Sequence, residues 1–403
     1  MSASTRRPSV FMMDLLATVP YYTAYLSRAL LKEGVNLTVG SISYYLDPDC
    51  FSSRGIKIDP GLLDVVGKFR LPRLPRRVLK LMEAILNLSA LSARFLIKRP
   101  DVIHVQYLPM LKWRLPLDSW FVALCRKRGS KIVLTVHDLL PHDTGEAYKR
   151  TFDELYRMVD AIICHSDHIR TRLGAEFSVP AEKISVIPHG PFFYDLPASG
   201  LEQTLRTLEV EPNQMLVLWQ GIIFPYKGID LLLRSWQQVE AQADGVCLVI
   251  AGTGAPELLD QIRGQVRQLG LKRVKLHFRF ISTEELVALY RAASIVVYPY
   301  RAITTSGALA TGLALDKAIV ASDLPVFREL LTNRENALLV NPQDSTELAA
   351  ALIELTRDPV LRERLAQKVR EMSFGDQSWL LIAEKTMQTY ESTLARSAEG
   401  SIA

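Results

Sequence analysis

The 403-residue sequence holds no apolar run approaching the ~18–20 residues that a membrane-spanning helix needs, so an integral helical membrane protein is excluded. Cysteine is scarce. The four present, Cys50, Cys125, Cys164 and Cys247, are far apart and form no CxxC pair. A disulfide framework or structural zinc site is therefore not expected, and buried, reduced thiols are. Met1 to Pro8 is short and polar, and an apolar run follows at once, so no cleavable leader is expected and a reducing cytoplasm is the default location. Low-complexity stretches and short internal repeats are also missing. With 48% hydrophobic and 23% charged residues, the composition excludes a disordered, collagenous or coiled-coil chain and leaves room for two or three domains with cores of their own.

Acidic residues are nearly absent from one stretch. Between Lys68 and Arg99 stand nine basic residues (Lys68, Arg70, Arg73, Arg76, Arg77, Lys80, Arg94, Lys98 and Arg99) against Glu83 alone. The whole chain carries 48 Lys and Arg against 43 Asp and Glu, a net +5, so the remainder is slightly acidic. Leu71, Leu74, Val78, Leu79, Leu81, Ile85 and Leu88 are interleaved with the charges. Such a segment suits an anionic membrane surface or a phosphorylated acceptor; the plainer reading is a solvated helix face above a core stripe. No recognition motif for nucleic acid accompanies it, so nucleic acid is not expected as a partner.

What the sequence does contain is alternation. Apolar runs at Ser9–Met13, Asn36–Ser43, Asp101–Gln106, Lys131–His137, Ala161–Cys164 and Ile184–Ile187 read as strands, with helices at Tyr22–Glu33, Leu117–Arg128, Tyr148–Val159 and Asp167–Phe177. Gly190–Pro212 loses this regularity and reads as an inter-domain connection. The alternation resumes with strands at Met215–Gln220, Val246–Ala251, Val274–Phe280, Ile295–Tyr298, Ala318–Ala321 and Ala337–Val340. Helices at Ile229–Ala243, Pro256–Leu269, Thr283–Ala293, Ser306–Leu315 and Thr346–Thr356 separate them, and Pro359–Leu394 is largely helical. The pattern predicts an α/β protein of two doubly wound parallel-sheet (Rossmann-like) domains facing a cleft, residues 1–195 and 196–375, with 376–403 as a last helix.

Chemistry-bearing residues fall where strands end. Gly221-Ile-Ile-Phe-Pro-Tyr-Lys227-Gly228 follows a strand and opens a helix, so glycine backbone and a lysine charge meet at a helix start, an arrangement that suits a diphosphate. Ala251-Gly252-Thr-Gly254 reads as a tight turn or a close approach to a ligand. Tyr298 to Gly307 places Thr304, Thr305, Ser306 and Gly307 at a helix N-terminus, as a cap or an oxyanion cradle. In the first half, Thr135-Val-His137-Asp138-Leu-Leu-Pro141-His142-Asp143 ends a strand, and Ile187-Pro-His189-Gly190 precedes the connection. His137 and Asp138, with Asp14 after the first strand and His189, are candidates to meet sugar, phosphate or acceptor.

In these motifs and their order, the sequence resembles the GT-B-fold glycosyltransferases of family 4, the large retaining group, along nearly its whole length. The segment Tyr298–Leu315 and the ending Ser378-Trp379, Ile382-Ala383 and Tyr390 share in the likeness. The resemblance implies a retaining hexosyltransferase with a nucleotide-sugar donor on the C-terminal domain, an acceptor on the N-terminal one, a last helix returning to the N-terminal domain, and no metal or cofactor. It implies Lys227 and His137 as catalytic residues, Lys227 against the diphosphate and His137 against the donor sugar. Gly221, Gly252, Gly254, Arg279, Ile281, Arg301, Thr305, Ser306, Gly307 and Thr311 are implied around the donor, and Asp14, Asp138 and His189 on the acceptor side. The acceptor would be a glycan or glycolipid, such as a lipid-linked or cell-surface precursor in polysaccharide biosynthesis. The location would be cytoplasmic, peripheral to the inner membrane face through residues 68–99. Two departures stand out. Ile303 and Thr311 occupy the positions of the family's Glu-x7-Glu pair, which marks a variant subgroup lacking it. Ile222 or Phe224 stands where an arginine often precedes the lysine, leaving Arg301 to supply a second charge. A nucleotide-sugar epimerase and a non-catalytic partner subunit of the same fold are the alternatives.

Overall fold

The computed structural model describes residues 7–66, 68–69, 72–108, 110, 115–140, 145–197, 201–211, 214–372 and 374–399. Arg70 and Leu71 of the basic stretch, Pro141, His142 and Asp143 of the strand-end motif, and Gly200 and Pro212 of the expected connection lie outside the described residues. The chain divides into two compact units, residues 1–188 with 379–403, and residues 189–378. The first divide lies before His189 rather than after residue 195. His189 and Phe192 already pack on the second unit, so closely that a β-carbon on Gly307 would lie 3.0 Å from one ring and 2.8 Å from the other.

Unit 1 is built on β1 (Ser9–Asp14), β2 (Asn36–Ser41), β3 (Val102–Val105), β4 (Lys131–Val136), β5 (Ala161–Cys164) and β6 (Ile184–Val186). They form one six-stranded sheet in the order β2-β1-β3-β4-β5-β6, every pair parallel. A parallel sheet covered by helices on both faces needs strands apolar throughout, and β3, β4 and β5 are buried almost end to end. The covering helices are α1 (Pro20–Lys32), α2 (Arg73–Ile97), α3 (Leu117–Lys127), α4 (Lys149–Met158) and α5 (Asp167–Phe177). Helix α2 carries the basic stretch. Its core stripe is Ala84, Leu88, Leu91 and Phe95, at helical spacing. Val78, Leu79, Met82 and Leu86 face outward. The lone acid Glu83 points inward and accepts from the amides of Val65 and Val66, so its hydrogen bonds go to the preceding loop rather than to a surface cation.

Unit 2 repeats the design. Strands β7 (Met215–Gln220), β8 (Val246–Ala251), β9 (Val274–His277), β10 (Ala293–Tyr298), β11 (Ala318–Ser322) and β12 (Leu338–Val340) form a parallel sheet in the order β12-β11-β10-β7-β8-β9. The helices are α6 (Leu201–Thr207), α7 (Ile229–Gln242), α8 (Pro256–Gln268), α9 (Thr283–Ala292), α10 (Gly307–Ala314), α11 (Pro325–Arg328), α12 (Ser345–Arg357) and α13 (Pro359–Glu371). Helix α6 falls inside the segment read as irregular connection.

The C-terminal helix α14 (Asp376–Glu399) belongs to unit 1 from Trp379 onward. Trp379 stacks on Tyr25 at 5.5 Å between ring centroids. Thr389 bonds Ser185 at 3.0 Å, and the buried Tyr390 hydroxyl meets His104 Nδ1 at 2.7 Å. Among the described residues no helix is long and apolar enough to cross a membrane.

Candidate functional site

In unit 2 the ends of the adjacent strands β10, β7 and β8 bring three glycine-bearing loops together. The β7 and β8 loops stay paired beyond the strands: the Gly221 amide donates to Ala251 O (3.1 Å) and the Ile223 amide to Thr253 O (2.7 Å). Gly252 has φ +152°, and a β-carbon on it would lie 1.8 Å from Gly221 O. A side chain at Gly254 would meet Ile223 at 2.9 Å. These two glycines are therefore required by loop-to-loop packing in their own right.

Residues Pro225–Lys227 form one tight turn ended by Gly228, whose φ is +67°. A β-carbon there would stand 1.8 Å from Pro299 O, so glycine lets the turn lie flat on the β10 loop and start α7. The Lys227 ammonium comes to rest 5.9 Å from the Trp219 ring and 5.5 Å from the Tyr300 ring, against Gly221. Both rings are fully buried, so the positive charge has a rigid floor where β7 and β10 end. Arg301, expected to add a second charge toward a diphosphate, is committed elsewhere. Its guanidinium takes both oxygens of Asp230 (2.8 and 2.7 Å) and the carbonyl of Pro225 (3.0 Å). Burial alone would raise the Asp230 carboxyl, but Arg301 beside it outweighs this and holds it below its ordinary value. Arg301 braces the lysine turn.

On the β10 loop, Ser306 caps α10 by accepting from the Leu309 amide at 3.1 Å, and the Gly307 and Ala308 amides precede the helix's first intrahelical bond. Tyr298 fixes the start of α10 by donating to Ala308 O at 2.7 Å. Thr305 and Ser306 are half-buried at this terminus. Thr311 is not available to a ligand. It is buried, donating to Gly307 O (2.8 Å) and accepting from the Phe192 amide (3.1 Å), because a threonine mid-helix bonds back one turn. Arg279 is likewise spent, forked onto Glu285 at 2.7 and 2.6 Å within the capping box of α9, and Ile281 beside it is buried. His189, expected on the acceptor side, packs instead against Gly307 and Phe192 of unit 2.

In unit 1 a row of side chains follows the carboxyl ends of neighbouring strands: Asp14 of β1, Gln106 beyond β3, His137 beyond β4 and His165 beyond β5. Gln106 Nε2 donates to His104 Nε2 (3.2 Å) and Met12 Sδ (3.0 Å), which turns its Oε1 toward His137 Nε2 at 3.0 Å. A carbonyl oxygen accepts only, so His137 carries its proton on Nε2. His165 donates from Nδ1 to Ile187 O (3.0 Å) and presents Nε2 to His137 Nδ1 at 3.5 Å. The Tyr22 ring meets His137 edge-on at 4.8 Å. Burial pushes His165 down to about 4, against weaker opposing effects of Ile187 and Asp138, and His104 down to about 3. Asp138 is exposed beside this row. Gln106 and His165 were not singled out from sequence, although each stands at a strand's carboxyl end, the signal that selected His137.

Asp14 does not reach a ligand either. It is fully buried and accepts from the amides of Thr18 (2.8 Å) and Val19 (3.0 Å). Burial raises its carboxyl above the ordinary value, partly offset by these amides and by Lys80. Its task is to shape the β1–α1 loop, where Ala17 is held at φ +46°. Among the described residues no group of three or more His, Cys, Asp or Glu side chains is placed to hold a metal ion.

Two such doubly wound units, each with polar residues and glycines at strand carboxyl ends, have the fold class of the GT-B glycosyltransferases. Residues 19–190 match the family model described as Glycosyltransferase Family 4, and residues 214–358 that described as Glycosyl transferases group 1; the chain belongs to this family. It is similar to a phosphatidyl-myo-inositol mannosyltransferase of Mycobacterium leprae, 33% identical over 44% of this chain and 46% of the relative. It is also similar to a D-inositol 3-phosphate glycosyltransferase of Rhodococcus erythropolis, 24% identical over 68% and 63%. The matches thus span less than two thirds of these relatives' lengths. Among solved structures, Anabaena HepE in complex with UDP and glucose aligns over 96% of this chain and 100% of its own, with a TM-score of 0.73 at 18% identity.

Proposed function

We propose that this chain is a retaining glycosyltransferase that moves a sugar from a nucleoside diphosphate donor to a hydroxyl acceptor without a metal. The observation that carries this reading is the set of three loops at the ends of β10, β7 and β8. They gather Lys227 on its aromatic floor, the bare backbone of Gly221 and the N-terminus of α10. Breaking the sugar–phosphate bond leaves a cationic sugar and a departing diphosphate, so a fixed ammonium and oriented amides stabilise the charge that develops. His137, with its tautomer set by Gln106, is the group proposed to contact the donor sugar.

The proposed acceptor is a glycan or glycolipid precursor, and the proposed location is cytoplasmic, peripheral on an anionic membrane face. Two relatives are named for phosphorylated inositol acceptors, which agrees with an anionic one here. Supporting the membrane reading, Val78, Met82 and Leu86 form a stripe on α2 that is more than half exposed. Leu63, Val65 and Phe69 are exposed on the preceding loop, which Asn87 and Glu83 tie to α2. Arg76, Arg77 and Lys80 lie on the same helix. An exposed apolar stripe on a helix with net positive charge suits an anionic lipid surface.

The test is incubation with a panel of UDP-, GDP- and dTDP-sugars. Slow release of a nucleoside diphosphate from one donor is expected, even without acceptor. A second reading, a non-catalytic partner subunit, is favoured by the engagement of Arg301 and Thr311 in internal bonds. No release and no thermal shift with any nucleotide would support it.

A further inference from the structure

Unit 1 contains a cavity of about 520 Å³ at the carboxyl ends of β1 and β2, lined by Leu16, Ala17, Ile42, Ser43, Tyr44, Tyr45, Val66, Arg76, Arg77 and Lys80. Its floor is apolar. Its wall is two tyrosines. Its remaining side is the first part of α2, from which three cations converge. Arg76 lies 4.1 Å from the Tyr45 ring, which fixes the guanidinium at the rim. Burial lowers the Lys80 ammonium's affinity for its proton, and Arg76 adds to this, while Asp14 and Glu83 oppose it.

None of the three cations has a carboxylate within ion-pair distance among the described residues. The acids nearby are already occupied. Asp14 is sealed beneath the β1–α1 loop on the amides of Thr18 and Val19, and Glu83 holds Val65 and Val66. Asp64 holds Ser43 by its hydroxyl (2.6 Å) and amide (3.0 Å). Three like charges around one partly enclosed space repel each other, and the arrangement becomes favourable when an anion enters.

We infer that this cavity is a phosphate-ester site, with the phosphate on Arg76, Arg77 and Lys80 and the organic body against Tyr44 and Tyr45. Guanidinium groups fork onto phosphate oxygens, and tyrosine rings offer flat apolar faces with hydroxyls to a polyol or sugar. That the bound molecule is the acceptor rests on the transferase reading above; that the cavity binds it does not.

The experiment is calorimetric titration of the full chain, with no donor present, using glucose 6-phosphate, glucose, and dihexanoyl phosphatidylglycerol as a soluble lipid headgroup. Either phosphate ester should bind at one site, and the tighter of the two identifies the source as free phosphate or lipid. Glucose should not bind. Arg76→Gln and Lys80→Gln, checked for an unchanged unfolding transition, should each weaken binding roughly tenfold or more. Arg77→Gln, at the cavity mouth, gives an independent variant should Lys80→Gln fail to fold. Equal affinity for glucose and its phosphate, or unchanged affinity in the folded variants, would overturn the proposal. A chain that binds phosphate esters but never releases nucleoside diphosphate would sink the transferase reading and leave the site standing.

Discussion

The Lys227 ammonium stands directly against Gly221: a β-carbon added to Gly221 would lie 2.9 Å from Nζ, while one added to neighbouring Gly252 would lie 1.8 Å from the Gly221 carbonyl. The two glycines thus guard different things. A lysine side chain yields by a rotamer change; backbone does not. Gly252→Ala should therefore cost stability, on the order of 2–4 kcal/mol from strain at its φ of +152° and the backbone clash. Gly221, at φ +150°, carries the same backbone strain but meets only the lysine side chain, so Gly221→Ala should lower the unfolding midpoint less than Gly252→Ala does, while displacing Lys227 and weakening nucleoside diphosphate binding. Urea unfolding and nucleotide titration of both variants check the contrast.

Gln106 holds His137 in one tautomer, through a bond of 3.0 Å to Nε2. Gln106→Leu removes that acceptor without removing the imidazole. Turnover should fall roughly tenfold or more, with nucleoside diphosphate affinity nearly unchanged, because the amide touches only unit 1 groups. Steady-state kinetics and nucleotide titration separate the two; a parallel loss of nucleotide affinity would contradict the assignment.

Stability should fall in acid. Burial holds His165 at about 4 and His104 at about 3, whereas an unfolded histidine titrates near ~6.5. Between these values the unfolded chain binds the extra protons. The stabilisation is complete above the unfolded value and drains away as pH falls toward 4, by up to about 3 kcal/mol for His165. Asp14, raised by burial, acts in the opposite sense as pH falls toward the ordinary carboxylate range, since the folded chain protonates it first. Urea midpoints at successive pH values should show the slope, and a folded His165→Gln should reduce it by nearly one proton.

The strand order of events was plain in the sequence because parallel strands buried on both faces are continuous apolar runs: Ala161–Cys164, Met215–Gln220 and Val246–Ala251 were bounded as they occur. Helix α2 was harder. Its outward face is as apolar as its inward one, so periodicity did not separate Val78 and Met82 from Ala84 and Leu88. Loop glycines and Lys227 were legible because they sit at strand ends. The occupations of Thr311, Arg301, Arg279 and Asp14 were not, since each is decided by a neighbour chosen in the fold: Phe192, Asp230, Glu285 and the amides of Thr18 and Val19.

The outward stripe of α2 gives a separate prediction. The chain should co-sediment at low salt with vesicles of phosphatidylglycerol in phosphatidylcholine, and release as salt screens the charges. Val78→Asp with Met82→Asp should abolish sedimentation without changing the fold, as both side chains are more than half exposed. Failure of the unaltered chain to bind at low salt would remove the membrane reading.

Lys227 is the proposed cation of a nucleoside diphosphate site in unit 2. Titrating UDP, GDP and dTDP into the unaltered chain and into Lys227→Ala tests it most directly. One nucleotide should bind the unaltered chain, and the variant should bind it roughly tenfold to a hundredfold more weakly, as expected for loss of a charge-assisted contact. Equal affinity in the two proteins, or no binding of any nucleotide to either, would contradict the account.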